Sequence, residues 1–177
     1  MADEKKEPWL NYLALTTIIF AVAATLSTFK GGGYSTRSML SQEQASNKWS
    51  YFQSKSLKLY LYETQKDMME LDTKRIPKGD AVTLKAYEDK IVSYEKSIKR
   101  YEKEKGDIQK DAKDSEAIRD EAQKHSQAFG MAVIFLQISI LLASIGALIK
   151  RKYLWYLAMG VGVVGLFYFL NGFLLFL

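Results

Sequence analysis

Apolar residues fall into three long runs, 9–29, 128–149 and 153–177, and no Lys, Arg, Asp, Glu or His interrupts any of them. An uncharged run of 18 or more residues predicts a spanning helix. The chain is therefore expected to cross a bilayer three times. Between the first and second runs lies a charged segment, 30–127, whose pattern is also helical. From Leu84 the apolar positions recur as Leu84, Tyr87, Ile91, Tyr94, Ile98 and Tyr101, in alternating steps of three and four. That spacing predicts the seam of a coiled coil. The frame continues through Lys105, Ile108, Ala112, Ser115 and Arg119 to Ala122, which predicts a seam tight at its start and loose towards the second span. Gly106 sits where the change occurs, and a helix-interior glycine costs about 1 kcal/mol relative to alanine, so a bend is expected there.

A matching arm is predicted from about Ser41 to Arg75. Its apolar residues are Trp49, Phe52, Leu57, Tyr60, Leu61, Met68 and Leu71, and Ser41-x-x-Gln44 has the form of a capping box. Residues 76–80 form the turn: Pro77 disfavours helix at Ile76, Gly79 relaxes the backbone and Asp80 caps the next helix. Counting outward from Pro77 gives two antiparallel arms of nearly equal length, roughly 65 Å each at 1.5 Å rise per residue. In that register residues 49–62 face 93–106, which sets Trp49, Phe52, Leu59 and Tyr62 beside Tyr94, Ile98 and Tyr101. The predicted fold is all-α: three transmembrane helices with a long antiparallel helical hairpin, a coiled-coil rod, inserted between the first and second. The segments run 1–8 (tail), 9–29 (first span), 30–127 (hairpin), 128–149 (second span), 150–152 (basic turn) and 153–177 (third span).

Composition sharpens this division. The 48% hydrophobic and 25% charged residues of the 177-residue chain are two unlike populations averaged together. Residues 30–127 hold 20 of the 25 Lys and Arg and 17 of the 20 Asp and Glu, a balance of +3 out of the whole chain's +5. Charge so nearly balanced excludes an ordinary nucleic-acid binder, which shows a concentrated basic face. Cysteine is absent, removing disulfides and thiolate chemistry. Ala21-Val22-Ala23 resembles a signal-cleavage pattern, but the leader is as acidic as it is basic and the apolar run continues to Phe29, so an uncleaved anchor is expected.

Short basic loops set orientation. Lys5 and Lys6 before the first span, and Lys150, Arg151 and Lys152 between the second and third, fall on one side and assign it to the cytoplasm. The hairpin is then periplasmic. Trp9, Tyr12, Tyr153, Trp155 and Tyr156 would form an aromatic belt at that cytoplasmic leaflet.

Chemical motifs are sparse. Gly160-Val161-Gly162-Val163-Val164-Gly165 matches a dinucleotide fingerprint in letters only, since no strand precedes it and lipid surrounds it. Gly160, Gly165 and Gly172 instead read as points of close helix approach, within one copy or between copies, with Gln137 and Asn171 as interhelical hydrogen-bonding groups. Ala14, Thr17, Ala21, Thr25 and Thr28 make a second small-residue stripe. With no ionisable residue inside the spans, proton relays and voltage sensing are excluded. His125 with Glu121 one turn earlier reads as a solvated pair rather than a metal site, which needs three or four ligands. No nucleophile has an identifiable base, so neither catalysis nor a cofactor is expected. Lys30, Gly31, Gly32, Gly33 and Arg37 form a flexible joint at the membrane boundary, or a nest of free amides and cations for a lipid phosphate.

The run LSTFKGGGYSTRSMLSQ, residues 26–42, followed by Ala45-Ser46-Asn47-Lys48-Trp49, resembles a family of small bacterial membrane proteins catalogued only as a domain of unknown function. The resemblance implies a bacterial inner-membrane protein and brings no activity with it. The functional expectation is a non-enzymatic scaffold whose partners are membrane lipids, further copies of itself and a protein docked on the hairpin. The alternative is a channel-like oligomer, its pore lined by the first span's threonines or by Gln137.

Overall fold

A computed structural model describes residues 8–77 and 80–176, so Lys5, Lys6, Lys78, Gly79 and Leu177 lie outside the described residues. The described residues are all-α and form three helices: α1, Pro8–Thr73; α2, Ala81–Leu148; and α3, Lys152–Leu174. All three are long and apolar enough to cross a membrane, as fits a multi-pass membrane protein. Pro8 starts α1 at the position where its missing N–H is harmless and its fixed φ suits the helix.

One expectation fails. No separate hairpin is inserted after the first span, because the first apolar run and the first arm are a single helix of 66 residues. The second arm and second span likewise share one helix of 68 residues. Gly31, Gly32 and Gly33 lie inside α1 and Gly106 inside α2, so neither expected joint is a break. Each glycine costs helix propensity, but a helix of this length has packing on either side to offset it.

The residues form two compact units. The first, Met1–Leu40 with Ile118–Leu177, holds the apolar runs. Its core comprises Phe20, Ala23 and Ala24 of α1 against Ala132 and Leu136 of α2, with Met159, Leu166 and Phe169 of α3 packed on them. A second cluster joins Trp9 and Leu13 to Ala143 and Ala158. The helix ends of this unit are closed locally. At the basic turn the Arg151 amide donates to the Gly146 carbonyl at 3.1 Å, while Lys150 adopts φ 51°, a left-handed closure more often given to glycine.

The second unit, Ser41–Ala117, is an antiparallel pair made of the later part of α1 and the earlier part of α2. Among its non-exposed α1 positions, 41, 45, 48, 52, 55, 59, 62, 66, 69 and 73 recur in steps of four and three, with 49, 56, 64 and 72 beside them. On α2 the expected frame is followed from Tyr87 to Ser115. The expected gradient of tightness is reversed: Ala45, Ala112 and Ser115 are among the most buried positions, whereas Leu84 near the turn is 37% exposed. Small side chains here allow the backbones to close up. The turn itself follows its residues, with the Thr83 amide donating to the Asp80 carboxylate at 3.1 Å as an N-cap.

Candidate functional site

The glycines of α3 mark where its backbone meets the other two helices. A Cβ on Gly162 would overlap the Phe20 ring, one on Gly165 would lie 2.8 Å from Leu136, and one on Gly172 would lie 2.7 Å from Phe129. Gly165 and Gly172 are therefore contact residues within a single copy. Gly160, expected to join them, faces open space. Gly162, the tightest of the set, carries no mark in the sequence beyond its place between Ala158 and Gly165 on one face. Across from α3, Gly31 of α1 presses on Phe129, whose Cβ would lie 3.0 Å from any added Cβ. Phe129, fully buried, is thus held between glycines of two helices.

Polar groups in this unit mostly close helix backbones. Asn171, 5% exposed, accepts a hydrogen bond from the Phe176 amide at its side-chain oxygen (2.9 Å) and one from Leu175 at its carbonyl (2.8 Å), so it caps the end of α3. The hydroxyl of Ser139 donates to the Ala158 carbonyl at 2.6 Å, and the Trp155 indole donates to Thr16 at 3.2 Å. His125 does not form the expected solvated pair with Glu121. Its ring stacks on Tyr34 at 4.4 Å and its Nδ1 lies 2.8 Å from the Gly172 carbonyl, at the electronegative end of α3. Neither partner is legible by spacing, since one lies 91 residues before the histidine and the other 47 after it. Among the described residues no three His, Cys, Asp or Glu are grouped for a metal ion.

The glycine-rich boundary is not a nest of free amides. Residues 31–33 spend their N–H groups inside α1, and Lys30 and Arg37 point into solvent from it. What the glycines do create is a groove of about 290 Å³ between α1 and α2, lined by Ser27, Thr28, Gly31, Gly32 and Ser35 on one side and Ser126, Gly130 and Val133 on the other.

In the second unit the expected tyrosines meet. Tyr62 lies 5.5 Å from Tyr94, edge to face, and 5.5 Å from Tyr101, stacked. Trp49 does not face residues 93–106; its indole donates to Glu116 at 2.9 Å. Helical side chains lean towards their own N-terminus, which carries this ring further along the partner. Lys55 bonds Glu104 and sits about equally far from the Tyr51 and Tyr101 rings, at 5.1 and 5.0 Å. The Glu104 hydrogen bond first, and then Tyr51, raises the Lys55 pKa, and the Lys55 hydrogen bond lowers that of Glu104. Glu95 pairs with Lys66 across the helices at 3.3 Å. The first arm's apolar residues divide: Trp49, Phe52, Leu59 and Tyr62 are turned towards α2, whereas Leu57, Tyr60, Leu61, Met68 and Leu71 are 50–63% exposed.

Residues 9–175 match the family described as Domain of unknown function (DUF4337), and the chain belongs to that family. No curated protein and no solved structure matches it.

Proposed function

We propose that this family member is a non-enzymatic protein of the bacterial inner membrane that assembles with copies of itself and offers its charged helix pair as a scaffold for partners or lipids. One observation carries this reading. Leu57, Leu61, Thr64, Met68 and Leu71 repeat the four-three spacing of the inner seam on a different face of α1, with Tyr60 beside them. A water-facing helix with a second apolar seam calls for a second neighbour, as in a coiled coil of more than two helices. Native mass spectrometry in mild detergent should report an oligomer. Replacing Leu61 and Met68 with Glu should lower its order while helix content by circular dichroism stays unchanged. A monomer in the unmodified protein refutes the reading.

The basic turn supports a cytoplasmic placement for residues 150–152 and a periplasmic one for the helix pair. With single cysteines at Lys85 and Arg151, an impermeant thiol reagent should label position 85 in intact spheroplasts and leave 151 untouched. The reverse pattern inverts the topology. A channel-like oligomer is the second reading, favoured by Thr25 and Thr28, exposed on α1, and by Gln137, exposed on α2. Ion flux into liposomes carrying the purified protein would select it over the scaffold.

A further inference from the structure

We propose that the flank shared by α1 and α2 inside the membrane is where a second copy docks, with Gln137 at its centre. This rests on the oligomeric reading above and adds a surface to it. Gln137 stands next to Leu136, which belongs to the same buried cluster as Phe20, so its depth is that of the middle of the first apolar run. Its carboxamide is exposed and forms no hydrogen bond among the described residues. A bare amide facing hydrocarbon is costly, because nothing there replaces its lost water. Something polar has to cover it.

The surroundings of Gln137 say what. It follows Ser126, Gly130 and Val133 at spacings of 11, 7 and 4, so the four share a face of α2. Those three line the groove opposite Thr28, Gly32 and Ser35, and the same face of α1 continues through Thr25, Ala21 and Thr17 to Ala14. The two stripes therefore form one flank of small and hydroxyl-bearing residues. Elsewhere the exposed membrane surface is mostly large apolar side chains, Leu, Ile, Val, Phe and Tyr, and the close-approach glycines of α3 are already filled by Phe20, Leu136 and Phe129.

Chemistry selects a second copy over lipid as the occupant. The hydroxyls of Thr17, Thr25 and Thr28 donate to the carbonyls of Leu13, Ala21 and Ala24 at 2.8, 2.9 and 3.0 Å, which leaves their oxygens able to accept. An acyl chain offers no donor, whereas the Gln137 amide offers two. Copies inserted with the same orientation bring equal depths together, so Gln137 of one copy meets either Gln137 or the Thr17–Ala21 level of the next. Small residues on both helices permit the close approach such a bond needs.

The chain has no native cysteine, which makes the test direct. Full-length A21C, alone and mixed with V133C, is oxidised in native-lipid nanodiscs, with V163C on the lipid face of α3 as a control. Disulfide-linked dimers through position 21 and few through 163 are expected. Adding Q137L should weaken association on the order of tenfold while thermal unfolding in dilute detergent is unchanged, and Q137N should restore part of it. An oligomer that links through 163 and not 21 overturns this surface and leaves the oligomeric reading standing. A monomer that links through neither overturns both and assigns the flank to lipid. Dimers through 21 that ignore Q137L overturn the role of Gln137.

Discussion

The two units solve helix packing in opposite ways. In the apolar unit, glycine is set against the largest side chains, Gly162 against Phe20 and Gly172 against Phe129, so that backbones approach and van der Waals contact replaces the hydrophobic drive that lipid cannot supply. Among the described residues of the charged unit no glycine is set against a ring. Small residues such as Ala45 and Ala112, stacked Tyr62 and Tyr101 and cross-helix pairs such as Lys55 with Glu104 make the contact, and water itself pushes the apolar faces together. The same residue type should consequently have opposite energetic meaning in the two places.

The largest effect is expected at Gly162. Substituting alanine puts a Cβ into the Phe20 ring, and a loss of about 3 kcal/mol from overpacking should appear as a lower detergent-unfolding midpoint. If alanine is tolerated there, the glycine–aromatic interlock is not what holds the unit, and the contrast between the units fails.

A second test works at the helix-pair turn. Hydrogen bonds from Thr83, its hydroxyl first and then its amide, hold the Asp80 carboxyl below its ordinary value of 3.8. The folded value lies below the unfolded one, so the stabilisation is complete above pH 3.8 and is lost as pH falls through the lowered folded value. Asp80→Ala should lower the thermal midpoint of the helix pair at neutral pH by a few degrees and remove this acid dependence, with no effect on the apolar unit. An acid response that survives the substitution would place it in another carboxylate.

The smallest effect sharpens the contrast from the other direction. Gly106 meets nothing within 4 Å, so alanine there should stabilise α2 by about 0.5–1 kcal/mol, visible as slower amide exchange around the site. Loss of stability instead would reveal a neighbour at this face and make the two units alike.

What was legible in the sequence follows the same division. The three apolar runs and the four-three frame from Tyr87 to Ser115 depend only on residue class, and a period can be read without knowing any partner. Continuity through Gly31–33 could not be read, because three glycines argue for a break, and the one whose missing side chain makes room, Gly31, does so for Phe129, almost a hundred residues away. The faces of Gly165 and Gly172 were legible from their seven-residue spacing. That Phe129 and Leu136 of the same chain fill them was not, nor was the stacking of His125 on Tyr34. Helix faces are local in sequence, whereas what covers them is not.

The four-three repeat of buried positions in residues 41–117 also constrains how this family can change length. Removing seven residues from one arm keeps that arm's own frame but slides every pairing, parting Lys55 from Glu104 and Tyr62 from Tyr94. Removing seven from the partner arm at the matching level restores both. Insertions and deletions among relatives should therefore come in coupled sevens, one in each arm about Pro77, so that the helix pair is a spacer adjustable in fixed increments of about 10 Å.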